Sequence, residues 1–178
     1  MRLFLGTYMR SDDFLELYGS LKMQLEMDCK GKWVEPNNLH FTYHFLGEVS
    51  QSQFEEIKRE MGDLFREYES ETILKGLGVF PNRRAPRVLH IPVVNPDGKV
   101  AELYSESGKV LTRLGFELDK RLYSPHLTLA RLNFCSPNEL NATLEQYAEF
   151  EFMKSPTFTF NLIESRLTRQ GPIYTPLL

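Results

Sequence analysis

The stretch Leu39-His40-Phe41-Thr42-Tyr43-His44-Phe45-Leu46 alternates with a period of two. Successive side chains of a strand point to opposite faces, so His40, Thr42 and His44 share one face while Leu39, Phe41, Tyr43 and Phe45 share the other. One face suits chemistry and the other a core. The same pattern, His-x-Thr, returns in the last third as His126-Leu127-Thr128, within the strand-like run His126 to Asn133. Only four histidines occur in 178 residues, and two of them open this pattern. Short matches arise by chance. What marks these two as a pair is that both sit where the hydrophobic pattern changes to a period of two.

Working outward, strands and helices take turns. Arg2 to Tyr8 is an apolar run that reads as a strand. Ser11 is placed as an N-cap, Asp12 and Asp13 favour the first turn, and Phe14, Leu17, Leu21 and Leu25 trace one helical face that ends near Asp28 to Gly31. After the turn-like Glu35-Pro36-Asn37-Asn38 comes the first motif strand. Ser52-x-x-Glu55 predicts a capping box for a second helix, with Phe54, Ile57, Met61, Leu64, Phe65 and Tyr68 at helical spacing. Thr72 to Phe80 and Arg87 to Val94 read as strands flanking the loop Pro81 to Pro86, and Asn95-Pro96-Asp97-Gly98 is a turn. Val100, Leu103, Tyr104, Val110, Leu111 and Leu114 mark a third helix stopped by Gly115. Ser136-Pro137-Asn138-Glu139 opens a fourth after the second motif, and the chain ends in strands, chiefly Thr157 to Arg166. This order predicts an α+β fold of mainly antiparallel sheet with outer helices. Because each half supplies one His-x-Thr strand, the expected molecule is bilobal, with two sheets related by a pseudo-twofold axis around a central cleft. Residues 1–178 are expected to form a single such domain.

Composition bounds the reading. A chain of 178 residues with 42% hydrophobic content can bury a sizeable core. No apolar run approaches the length that crosses a bilayer, and the opening segment turns polar by Arg10, so the expectation is a cytoplasmic protein away from membranes, working as a monomer. Cys29 and Cys135 lack any ligand spacing and are expected to be reduced thiols outside any disulfide framework. The net charge is −3, but Gln51 to Glu71 holds seven acids and three bases, a local −4 that leaves +1 elsewhere. Arg83, Arg84, Arg87, Lys120, Arg121, Arg131, Arg166 and Arg169 lie outside that run. An acidic chain is unsuited to long duplexes, which require many neutralised phosphates, yet suits a cleft for one nucleotide or one RNA end.

A histidine and a threonine two apart on a strand can reach neighbouring atoms of one phosphate. Imidazole titrates near 6.5, so one copy can be neutral and the other protonated near pH 7. One takes a proton from water while the other gives one to the departing oxygen. Threonine hydroxyls can hold non-bridging oxygens. No metal or other cofactor is needed, and neither motif has the carboxylate cluster a two-metal site requires.

The segment Trp33 to Val49, with Leu39-His40-Phe41-Thr42 and Phe45-Leu46-Gly47-Glu48-Val49, resembles the first signature of the 2H phosphoesterase superfamily. Within it, the likeness is to the RNA 2′,3′-cyclic phosphodiesterases, also called 2′-5′ RNA ligases. Ser124-Pro125-His126-Leu127-Thr128-Leu129-Ala130-Arg131 resembles the second signature. Val79-Phe80-Pro81, Pro86-Arg87-Val88-Leu89, Leu162-Ile163-Glu164-Ser165 and Gly171-Pro172-Ile173-Tyr174 extend the likeness over nearly the whole chain. The resemblance implies metal-free hydrolysis of a terminal 2′,3′-cyclic phosphate, on RNA ends or nucleotides, to a 2′-phosphomonoester. It implies His40 as proton donor to the leaving 3′ oxygen, His126 as acceptor from water, and Thr42, Thr128 and Arg131 as phosphate binders. Strict alternation, however, puts Arg131 on the face opposite His126, so a bulge must re-aim it.

Two positions depart from the family pattern. His90 stands where many relatives have tryptophan, and Pro92 where they have glycine. His90 reads as a strand residue. His44 shares the face of His40 and is in a position to line the groove; its spacing of four from His40 would suit a metal on a helix, but the alternation is that of a strand. Other readings stay open: ATP-independent 2′-5′ ligation by the reverse reaction, an RNA-end binding module with vestigial turnover, and two satisfied core histidines.

Overall fold

The computed structural model describes all 178 residues. The strands are β1 (Arg2–Tyr8), β2 (Cys29–Trp33), β3 (His40–Glu48), β4 (Glu67–Tyr68), β5 (Thr72–Lys75), β6 (Gly78–Phe80), β7 (Val88–Val94), β8 (His126–Cys135), β9 (Glu151–Ser155), β10 (Phe158–Thr159), β11 (Asn161–Thr168) and β12 (Gly171–Pro176). The helices are α1 (Asp12–Leu25), α2 (Gln51–Met61), α3 (Lys99–Arg113) and α4 (Pro137–Gln146), with single 3-10 turns at Pro36–Asn38 and Gly62–Leu64. Ten strands form one antiparallel sheet along the path β12-β11-β1-β3-β8-β7-β5-β9, with β2 also on β8 and β6 also on β7; β10 and β4 form a small second sheet.

Apart from β2, which is inserted between α1 and β3, the chain order β1-α1-β3-α2 is repeated as β7-α3-β8-α4. The two motif strands, β3 and β8, lie side by side at the centre of the path and pair through Phe41 and Leu127. The expected two sheets are therefore continuous through this one pair. The first helix of each half crosses to cover the other half: Tyr18 of α1 donates its hydroxyl to the carbonyl of Val34 at 2.5 Å, beside that of Leu129 at 3.4 Å, and Gln24 binds Gln146, while α3 packs on β3 and α2. Between sheet and helices lies the core, including Phe14, Leu21, Leu39, Phe41, Leu89, Ile91, Leu127 and Leu129, each at most 1% exposed. Slipping β3 by one residue would expose Leu39 and Phe41, at a cost of about 1.5–3 kcal/mol for each side chain. That cost fixes His40 and Thr42 on the face the helices leave free.

Two bulges then break the alternation at matching places. On β3, Gly6 faces Thr42 but Leu5 faces His44, so Tyr43 is the extra residue. On β8, His90 faces Thr128 but Leu89 faces Ala130, so Leu129 is the extra residue. A bulge adds one residue to one strand and reverses the facing of everything beyond it. Each His-x-Thr is thus followed at once by a change of face.

Several sequence expectations need correction. The cap of α2 is Ser50 with Gln53 as its reciprocal partner, not Ser52 with Glu55, and this helix stops at Met61 rather than running to Tyr68. The run Thr72 to Phe80 is broken at Gly76, whose φ of +84° turns the chain between β5 and β6. Strand β2 was not expected, and it brings together two cysteines that the sequence reading had left apart. It lies on β8 in a register that sets Cys29 directly opposite Cys135, so two residues 106 apart in sequence are cross-strand neighbours. No helix is long and apolar enough to cross a membrane.

Candidate active site

The pairing of Phe41 with Leu127 places His40 beside Thr128 and Thr42 beside His126 on the helix-free face. His40 and His126 are then diagonal neighbours across the two strands, about 7–8 Å apart at the backbone. All four motif side chains are half-buried. The register brings the two histidines and two threonines of the sequence reading into one patch.

Both imidazoles are oriented alike. His40 Nδ1 lies 2.5 Å from the carbonyl of Asn38, and His126 Nδ1 lies 2.8 Å from that of Ser124, in each case two residues earlier in the chain. A carbonyl only accepts, so each Nδ1 carries the hydrogen and each Nε2 is left for the cleft. Such a ring is a base when neutral and an acid when protonated. Asn38 is itself held by its side-chain donation to the carbonyl of Pro172 at 2.8 Å, which ties the first motif to the β11–β12 hairpin.

The surroundings of the two rings differ. His40 is enclosed by aromatic rings: Phe4 at 4.9 Å, Tyr174 at 5.1 Å and Tyr8 at 6.2 Å. Burial lowers its pKa below the usual imidazole value, the Asn38 carbonyl opposes that shift, and His126 lowers it further. That last contribution places the two rings within each other's field. His126 meets Phe80 edge-on at 4.9 Å and His90 at 5.2 Å. His90 is stacked on Phe80 at 4.0 Å. No site role was assigned to Tyr8, Tyr174 or Phe80 from the sequence, although Phe80 and Tyr174 lie in segments that carry the family likeness; they are single aromatics within or at the end of strands, and nothing local separates them from core residues.

Arg131 reaches the site face. It faces Val88, which shares a face with His90, because the Leu129 bulge reverses the alternation that would have sent it into the core. Its side chain is exposed and acts on the hydroxyl of Tyr174, the ring that covers His40. His44 does the opposite. The Tyr43 bulge turns it away from His40 and Thr42 to the covered face, where it is 5% exposed, bonds the Tyr104 carbonyl at 2.9 Å and stacks on the Tyr104 ring at 4.3 Å. The groove-lining position that alternation offered His44 beside His40 is therefore not the one it takes. His90 is a strand residue, as expected, but it lies on the site face, opposite Thr128. Among the other basic residues, Arg83 pairs with Glu145 and Arg121 with Asp119.

The fold and this patch define a class of protein in which two similar halves each lend one His-x-Thr strand to a shared cleft. A family model described as LigT like Phosphoesterase matches residues 11–90 and again 91–174, one motif in each stretch. The RNA 2′,3′-cyclic phosphodiesterase of Aquifex aeolicus is 33% identical over 177 residues, covering 98% of this chain and 94% of its own. The protein of that name from Archaeoglobus fulgidus is 33% identical over 178 residues, covering 99% and 98%. Among solved structures, Escherichia coli LigT complexed with 3′-AMP superimposes with a TM-score of 0.79 at 23% identity, covering 99% of this chain and 95% of that one. A Thermus thermophilus protein gives 0.76 at 24% identity, covering 100% and 96%. This chain belongs to the LigT-like phosphoesterase family of the 2H phosphoesterase superfamily.

Proposed function

We propose that the protein hydrolyses the 2′,3′-cyclic phosphate at an RNA or nucleotide end to a 2′-phosphomonoester, using two histidines and no metal. The observation that carries this reading is the mirrored pair of imidazoles, each tied through Nδ1 to a carbonyl two residues back and each set beside the threonine of the other motif. Family membership and the names of the relatives support the same substrate class.

In this scheme Thr42 and Thr128 donate hydroxyl hydrogens to the non-bridging phosphate oxygens, with the exposed Arg131 guanidinium lending positive charge from the His40 side. Neutral His126 takes a proton from water through Nε2 as the water oxygen bonds to phosphorus. The bond from phosphorus to the 3′ oxygen breaks in line, and protonated His40 gives its Nε2 proton to that oxygen. The products are a 2′-phosphomonoester and a free 3′ hydroxyl, with His126 protonated and His40 neutral; exchange with solvent resets both. The assignment of donor and acceptor follows the family resemblance, since the two rings are held alike. Burial favours neutral His40 in the free protein, and a bound anionic phosphate reverses that by favouring the charged ring. Substrate thus helps to load the acid.

The test is hydrolysis of 2′,3′-cyclic AMP in EDTA, followed by phosphorus NMR. The expected result is undiminished turnover with the 2′-phosphate as product. Loss of turnover on chelation, or the 3′-phosphate as main product, contradicts the scheme.

A further inference from the structure

Beside His40 the site face opens into a groove of about 650 Å³. Its walls are the end of β1 with Tyr8 and Arg10, the loop at Asn37 and Asn38, and the β11–β12 hairpin with Gln170 and Tyr174. The groove is continuous with the candidate active site, because Tyr8 and Tyr174 touch the His40 ring and Asn38 holds its Nδ1. It is also a basic mouth on an acidic chain. Arg10 lies over the Tyr8 ring at 5.0 Å, with only two long contacts of 3.4 Å to Asn37. Lys32 projects to the hairpin tip, where a side chain on Gly171 would meet its Nζ at 3.6 Å, and Lys32 faces Arg131 across β2 and β8. None of these three cations belongs to an ion pair. Glu35 is the one carboxylate in the wall.

We propose that this groove is the path of the RNA strand on the 5′ side of the terminal cyclic phosphate, with Arg10 and Lys32 taking its first upstream phosphodiester. The inference rests on the proposed function. There the leaving 3′ oxygen faces His40, which puts the terminal ribose on the His40 side of the phosphorus. A strand continuing from that ribose meets this groove first. Unpaired cations beside an aromatic ring suit a single strand, whose phosphates need counter-charge and whose sugars and bases accept a flat partner. A mononucleotide would leave Arg10 and Lys32 unused. The enzyme is thereby selective for oligonucleotide ends over free cyclic nucleotides.

The experiment compares kcat/KM for 2′,3′-cyclic AMP with that for a pentanucleotide ending in a 2′,3′-cyclic phosphate, in wild type, Arg10→Ala, Arg10→Glu and Lys32→Ala, each checked for native circular dichroism. The wild type should prefer the pentanucleotide. The preference should fall about tenfold in each alanine variant and further in Arg10→Glu. The log–log salt slope for the pentanucleotide should become shallower by about 0.7 per lost contact. An unchanged preference overturns the proposed path. An equal loss on both substrates also overturns it, because the groove would then hold the terminal nucleotide itself. A wild type inactive on both substrates overturns the proposed function instead.

Discussion

His90 is 6% exposed, its Nδ1 makes no well-formed hydrogen bond, and its ring is clamped between Phe80 and His126. Burial first, and the neighbouring His126 second, push its pKa down to about 4, with the Val88 carbonyl acting weakly the other way. Because this folded value lies below the ordinary 6.5, the unfolded chain takes up the proton first as pH falls. Stability from this group is therefore complete above about pH 6.5 and is lost progressively toward pH 4. The loss is at most about 3 kcal/mol on the scale of 1.36 kcal/mol per unit. The lowered values of His40 and His44 act in the same direction. Urea unfolding at pH 7 and pH 4.5 should show a smaller loss on acidification in His90→Phe, which keeps the ring stack but cannot titrate, than in wild type. An identical loss in both would place the proton elsewhere. At this scale the sequence was informative where alternation held. His40, Thr42, His126 and Thr128 stand where the period of two puts them. His44 and Arg131 were both misplaced by that period, since each follows a bulge that composition does not signal.

Among elements, β2 was the least legible, because Cys29-Lys30-Gly31-Lys32-Trp33 is short, lacks β-branched residues and has a glycine at its centre, although its lysines do alternate with Cys29, Gly31 and Trp33. What places it is a partner more than 100 residues away, and with it came the Cys29–Cys135 pairing that local spacing could not show. Strand β9 was missed for the same reason, since an edge strand owes its pairing to a neighbour rather than to its own pattern. The close fit of β2 on β8 has a measurable consequence. A Cβ on Gly31 would sit 2.2 Å from the Arg131 carbonyl oxygen and 2.9 Å from the Leu132 Cα, both backbone atoms of a paired strand. Gly31→Ala should therefore cost about 1–3 kcal/mol, the usual range for overpacking. Gly19→Ala, in α1 where a Cβ would meet nothing within 4 Å, should be neutral or stabilising by up to about 1 kcal/mol. Chemical denaturation of the two variants reads the difference, and equal stabilities would mean that β2 is free to move off β8. The helices were legible because each buries one face at a spacing the sequence displays, although the Ser50 cap and the end of α2 at Met61 shifted their boundaries.

For the whole molecule, the duplication is the organising fact. Two β-α-β-α halves exchange their first helices, so neither half completes its core alone, and the one face without helices receives a motif strand from each. The acidic run on α2 and after it lies on the helix side, while Arg10, Lys32 and Arg131 stand at the mouth of the cleft. This separation of charge turns a negative protein's positive end toward a phosphate and steers its approach. The fold class and the pairing of the motifs could be read from the chain because both depend on local pattern. The aromatic enclosure of His40 could not, since Phe4, Tyr8 and Tyr174 come from both ends of the sequence and meet only when the hairpin folds across β1. The central claim is that one phosphate is worked on by an imidazole from each half in a single step. Its most direct test is a double-mutant cycle on 2′,3′-cyclic AMP with His40→Ala, His126→Ala and the pair. Each single change should lower kcat/KM by about 10²–10⁴, and the double variant should lose little more than the worse single, because groups that act in one step are not additive. Near wild-type activity in either single variant, or a double loss equal to the product of the two, would contradict the account.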